Sequence, residues 1–153
     1  MLSAGDKCPE FSLTTDDGMF NIADHSGKNV VLFFFPRADT SGCTKEAIAF
    51  SSLLPAFDAA NTAVIGISKD TPQKMAKFRA KYDLTCLLGC DNESDICEQF
   101  GVWQEKSMYG KKYMGIQRAT FLIDPNGTVA HIWPKVKVPG HAEDVLSHLQ
   151  AGG

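Results

Sequence analysis

Apolar and polar positions along the chain fall into two rhythms. Residues 29–35, 62–68 and 119–124 are short, nearly uninterrupted apolar runs rich in β-branched and aromatic side chains. That is the pattern of strands buried on both faces of a sheet. Between them the apolar residues recur at helical spacing, from Cys43 to about Leu54, from Thr71 to about Tyr82 and more briefly from Ser94 to Phe100. Thr71 followed by Pro72 reads as a helix start, because the hydroxyl can cap a free amide and proline has no N–H to leave unpaired. Phe11–Leu13 and Met19–Ile22 flank the turn-rich Thr14–Gly18 and predict an N-terminal hairpin. Asp124-Pro125-Asn126-Gly127 predicts a second, joining residues 120–123 to 128–133 antiparallel at one side of the sheet. Cys86 and Cys90 bracket a short strand, and residues 142–149 place Val145, Leu146 and Leu149 on one face of a closing helix. Strand and helix alternate and then end in ββα, the element order of an α/β, thioredoxin-like, three-layer fold with a central mixed sheet and an N-terminal hairpin extension.

Composition narrows the possibilities. The chain has 153 residues and 44% apolar content, which fits one domain spanning residues 1–153 with a core of its own. Its net charge of −3 comes from 15 basic and 18 acidic residues with no basic block, so nucleic acid is not an expected partner. No run approaches the ~18 apolar residues of a membrane span. The opening MLSAGDKCPEF lacks the pattern of a secretory signal. The expectation is a cytoplasmic protein without membrane contact. Five cysteines, at positions 8, 43, 86, 90 and 97, are an odd number without the density of a secreted disulfide framework. In a reducing compartment they serve as core filler, metal ligands or catalytic groups.

Cys43 stands out by position. It follows an apolar strand and the cap and turn residues Thr40, Ser41 and Gly42, and so falls in the first turn of a helix. There free amides and the helix dipole favour an anion, and such sites can lower a thiol's pKa below the free value of ~8.5. Asp39 acts in the opposite sense. An isolated cysteine at a helix start is more often a small buried hydrophobe, so position alone does not make it reactive.

The surrounding pattern changes that reading. Pro36-x-x-x-Thr40-x-x-Cys43 after an apolar strand resembles the active-site signature of the peroxiredoxins, and Gly42-Cys43-Thr44-Lys45-Glu46 resembles their bacterioferritin comigratory protein, or peroxiredoxin Q, branch. Gly5-Asp6-Lys7-Cys8-Pro9-Glu10-Phe11, Val64–Ser68, Cys97–Trp103 and the arginine-bearing Gly115–Asp124 are similar to further family segments in the same order. The resemblance implies a thiol peroxidase that needs no cofactor. Cys43 would attack a hydroperoxide as thiolate and become a sulfenic acid, and thioredoxin, glutaredoxin or glutathione would restore it. It implies that Thr40 presents its hydroxyl to sulfur and substrate, that Arg118 polarises the peroxide and holds the thiolate, and that Pro36 walls the pocket. Glu46 has two readings, as a group that orients Arg118 or as a solvated helix charge. The branch also suggests a monomer.

The chain departs from the branch at the second thiol. Where many members carry a resolving cysteine, five residues after the first, it has Ile48; in the next helix, the other common place, it offers Phe78 and Arg79. Cys90, at the carboxyl end of its short strand, is the preferred internal resolver, and a one-cysteine cycle with an external thiol stands beside it. Two other classes compete with this reading. Cys86, Cys90 and Cys97 with His131 or Cys8 make a loosely spaced metal set. A thioredoxin-like disulfide reductase would need Cys-x-x-Cys, and Glu46 occupies the fourth position.

Overall fold

The computed structural model describes residues 1–152. The segment 29–35 makes its logic plain, because successive side chains of a strand point to opposite faces. Val30, Leu32 and Phe34 enter one apolar cluster and Val31, Phe33 and Phe35 the other, all at 2% exposure or less. An unbroken apolar run is what a strand needs when both faces are covered. This strand, β3 (Asn29–Phe34), lies inside a seven-stranded sheet among the described residues. With β1 (Ser12–Thr15), β2 (Gly18–Asn21), β4 (Thr62–Ser68), β5 (Leu87–Cys90), β8 (Ala119–Ile123) and β9 (Val129–Trp133), the spatial order is β2-β1-β5-β4-β3-β8-β9. β3, β4 and β5 are mutually parallel, whereas β8 runs antiparallel to β3 and β9 antiparallel to β8. A separate two-stranded hairpin consists of β6 (Trp103–Met108) and β7 (Lys111–Ile116).

Four helices cover one face: α1 (Ser41–Ser52), α2 (Leu54–Ala59), α3 (Pro72–Tyr82) and α5 (His141–Gln150). Phe50, Phe57, Met75, Phe78 and Val145 reach from them into the cluster holding Phe33 and Phe35. The other face packs on α4 (Ile96–Gln99) and on Phe11, Phe20 and Phe100. Phe100 meets Phe121 edge-on, with centroids 5.1 Å apart. The mixed sheet between helices is the three-layer, thioredoxin-like fold that the element order implied.

Three details differ from the sequence reading. The N-terminal hairpin is stitched into the sheet, with Thr14 and Thr15 paired to Cys90 and Gly89 of β5. The helical run after Cys43 breaks at Leu53 and restarts as α2, with Pro55 in its first turn. The hairpin β6–β7 had no apolar signature because most of it is exposed on both faces. Its turn is Tyr109-Gly110, with φ of 53° and 77°, a primed turn without the Asn-Gly signal that marks such turns.

Gly66 in β4 is required by packing. A Cβ there would lie 2.5 Å from Phe33 Cζ and 3.0 Å from the Phe35 ring, both fully buried. Gly66→Ala should therefore lower stability by about 1–3 kcal/mol, the usual penalty of overpacking. Urea unfolding with an unchanged m-value is the check.

Candidate active site

The chain leaves β3 at the carboxyl edge of the parallel strands, the edge where α/β sheets gather their chemistry. Pro36 cannot continue the ladder, and residues 36–40 form a loop held at two points. The Ala38 amide donates to Asp70 Oδ2 at 2.8 Å, and Asp39, at φ 61°, binds Lys81 Nζ at 3.0 Å and the Tyr82 hydroxyl at 2.6 Å. Those partners hold the Asp39 carboxyl below its usual range, Tyr82 first and then Lys81, and the Lys81 charge offsets the anion that the sequence set against the thiol.

The loop delivers Thr40 as the N-cap of α1, and Cys43 as its third residue. The first intrahelical bond runs from the Thr44 amide to the Thr40 carbonyl at 2.9 Å. The amides of residues 41–43 thus remain orphan donors around the thiol. Cys43 is 1% exposed and its Sγ accepts from Arg118 Nη2 at 3.2 Å. Gly42 allows this approach, since a Cβ there would already be 3.3 Å from the same Nη2. Arg118 lies just before β8, its backbone fixed by the bond from the Val136 amide to its carbonyl.

Glu46, one turn on from Gly42, is 1% exposed, which removes its reading as a solvated charge. Its Oε1 accepts from Arg118 Nη1 at 2.7 Å, while Oε2 is buried without a partner. Burial pushes the Glu46 carboxyl up to about 7, with Arg118 pulling the other way. One guanidinium is therefore shared between a carboxyl and a sulfur. Thr40 sits differently from the expectation: its hydroxyl donates to the Arg37 carbonyl at 2.9 Å, and no bond joins it to Cys43 among the described residues. Pro36 is exposed and lines a groove beside the site.

Two neighbours carried no sequence signal. Lys106 on β6 donates to the Ile116 carbonyl, two residues before Arg118. Burial lowers its pKa, the charge of Arg118 adds to this, and Cys43 opposes it. His141, at the start of α5, shares a 2.7 Å hydrogen bond with Thr120, and burial pushes it down to about 4. An isolated lysine in a polar hairpin and a histidine after glycine look ordinary until the fold juxtaposes them with Arg118.

The other thiols are buried and unpaired. Burial pushes Cys8 up to about 12 and Cys90 up to about 11, and raises Cys86 and Cys97 as well. Cys90 lies at the carboxyl end of β5, paired with Ser68, on the Cys43 edge but two strands from β3. Both thiols reach the same buried cluster from different elements, Cys43 from α1 and Cys90 from β5, and each is free. Arg79 is tied to Asp16 at 2.5 Å and to the Leu84 carbonyl at 2.7 Å, so that stretch of α3 is clamped to the N-terminal hairpin. The metal reading does not match the layout, because Cys97 and Cys8 pack on one face of the sheet and Cys86 and Cys90 on the other.

A thiol in the first turn of a helix, under an arginine and on a thioredoxin-like sheet, is the arrangement expected from the peroxiredoxin resemblance, and comparison with known proteins shows the family. Residues 4–132 match the AhpC/TSA family. The chain belongs to that family and is a thiol peroxidase. Within it the likeness is to the Bcp, or peroxiredoxin Q, branch. The chain is 41% identical to peroxiredoxin Bcp of Escherichia coli K12, over 97% of this chain and 96% of the relative. A cysteine-to-serine variant of Xylella fastidiosa PrxQ superposes with a TM-score of 0.94 at 35% identity, covering 99% of this chain and 98% of that one. The bacterioferritin comigratory protein of Xanthomonas campestris, solved in work on its alkyl peroxide reduction activity, gives 0.88 at 39% identity, covering 93% and 91%.

Proposed function

We propose that Cys43 is the peroxidatic thiol and that the enzyme reduces hydrogen peroxide and organic hydroperoxides. The carrying observation is the 3.2 Å contact of Arg118 with Cys43 Sγ, made by an arginine whose other arm is fixed on Glu46. The thiolate attacks the terminal oxygen, an S–O bond forms as the O–O bond breaks, and the departing oxygen takes a proton to leave as water or an alcohol. Cys43 is left as sulfenic acid. Arg118 and the first-turn amides of α1 are fixed donors for charge moving from sulfur to the leaving oxygen. Pro36 walls the approach, and Thr40 reaches the substrate by turning its hydroxyl from the Arg37 carbonyl. The alkyl peroxide activity named for the Xanthomonas campestris relative supports the organic substrates.

Recycling follows a one-cysteine route through an external thiol, with thioredoxin, glutaredoxin and glutathione as the classes to test. The buried Cys90, whose thiol is hard to ionise and lies across two strands, would serve only after local unfolding. The reading is of a cytoplasmic monomer of one domain. No helix among the described residues is long and apolar enough to cross a membrane, and gel filtration decides the oligomeric state. Intact mass after one equivalent of peroxide tests the chemistry. Wild type should gain one oxygen and Cys43→Ser none, with peroxide consumption lost in the variant. Retained turnover in Cys43→Ser would sink the assignment. A loss of two hydrogens that disappears in Cys90→Ser would restore Cys90 as resolver.

A further inference from the structure

Beside the Cys43 site lies a groove of 380 Å³ between the loop at Pro36–Arg37 and the hairpin β6–β7. Trp103 and Tyr113 give it apolar walls, and Lys106, which lines it, lies near enough to Arg118 and Cys43 to feel their charges. Its charges are unbalanced in a specific way. Lys69 is already satisfied by Asp91 at 3.1 Å and Glu98 at 2.8 Å, and Asp70 is turned to the Ala38 amide and the Ser68 hydroxyl. Arg37 and Lys106 have no carboxylate partner among the described residues; the nearby Glu105 pairs instead with Lys112. Two cations without a carboxylate partner, one of them held by a backbone carbonyl, thus border a concave apolar slot on a chain of net charge −3.

Resting on the reading of Cys43 given above, we propose that this groove seats the reducing thiol, and that it selects a small anionic thiol whose carboxylates meet Arg37 and Lys106. A sulfur that is 1% exposed is reached more readily by a small molecule lying in a slot than by a cysteine on the surface of a protein. The cavity falls in the range of about 300–1,000 Å³ that holds small ligands. The first thiol forms an S–S bond to Cys43 as the sulfenic S–O bond breaks, and the oxygen leaves as water with the thiol's proton. A second thiol then attacks the bound one. The two depart as a disulfide and Cys43 is again a thiolate, so two thiols are oxidised for each peroxide reduced.

Glutathione is the anionic probe and 2-mercaptoethanol the neutral one, each mixed with peroxide-treated full-length protein and followed by quenched intact mass for the mixed disulfide. The ratio of the glutathione rate to the 2-mercaptoethanol rate should fall about tenfold in Arg37→Ser/Lys106→Gln, and it should fall in wild type as salt is raised. Lys111→Gln, on the same hairpin but outside the groove, should keep the wild-type ratio. An unchanged ratio in the double variant overturns the seat, as does reduction by a thioredoxin at a rate that glutathione cannot approach. Trapping of the sulfenic acid with dimedone is read in the same samples. Its absence in wild type would refute the peroxidatic role of Cys43, whereas its presence with an unchanged ratio refutes only the groove.

Discussion

Arg118→Ala should slow the oxidation of Cys43 by peroxide roughly 10²–10³-fold, the usual loss when one donor to a developing oxyanion is removed. Arg118 Nη2 is 3.2 Å from the sulfur, and Nη1 is held by Glu46 at 2.7 Å, so the donor is positioned before substrate arrives. Its planar fork bonds both partners at once. Arg118→Lys should consequently recover only part of the rate, because an ammonium is a point charge that cannot span a carboxylate and a sulfur in the same geometry. Single-turnover oxidation, quenched and read by mass, gives the rate constant directly. Oxidation of Arg118→Ala at the wild-type rate would remove Arg118 from the mechanism.

The second large effect is on stability, and it is hidden in the wild type. Glu46 has a folded pKa of about 7 against an ordinary 4.5, so between those values the folded chain holds a proton that the unfolded chain has lost, and stability falls as pH rises. His141 has a folded pKa of about 4 against 6.5, so the unfolded chain holds the extra proton and stability rises with pH. Both side chains are nearly inaccessible, at 1% and 5% exposure. Glu46 faces Arg118 and, across it, Cys43; His141 faces Thr120, with Asp144, Glu143 and Arg118 acting on it through space. From pH 4.5 to 6.5 the two slopes oppose each other. Glu46→Gln should uncover the histidine, with stability rising by about 3 kcal/mol from pH 4 to 6.5 at 1.36 kcal/mol per unit. In His141→Gln the glutamate should show alone, as a fall of about 3 kcal/mol from pH 4.5 to 7. Urea unfolding at half-unit steps of pH measures both. Identical profiles for wild type and Glu46→Gln would show that Glu46 titrates normally.

Much of this was legible in the chain because burial writes itself into composition. Residues 29–35, 62–68 and 119–124 had to be central strands, since few other places in an enzyme accept so many adjacent apolar side chains. Thr71-Pro72 marked α3, whose threonine hydroxyl does accept from the Lys74 amide. Asp124–Gly127 marked its turn, in which Asp124 Oδ1 accepts from the Asn126 and Thr128 amides. The hairpin β6–β7 was silent because an exposed hairpin needs no apolar periodicity, and it is the element that carries Lys106 beside the site.

By itself, the sequence determined the layer architecture and the placement of Cys43 at the mouth of a helix, for these depend on local pattern and spacing; that Ile48 stands where a second thiol is common followed only from the family resemblance. Tertiary structure alone decided that Glu46 is buried against Arg118, that the Thr40 hydroxyl turns to the Arg37 carbonyl, and that Arg37 and Lys106 stand without a carboxylate partner beside one groove. Those outcomes depend on residues up to 75 positions apart meeting within hydrogen-bonding distance, as Cys43 and Arg118 do. Long-range contact of that kind is fixed by how strands order within the sheet, which no local rhythm of apolar and polar residues encodes.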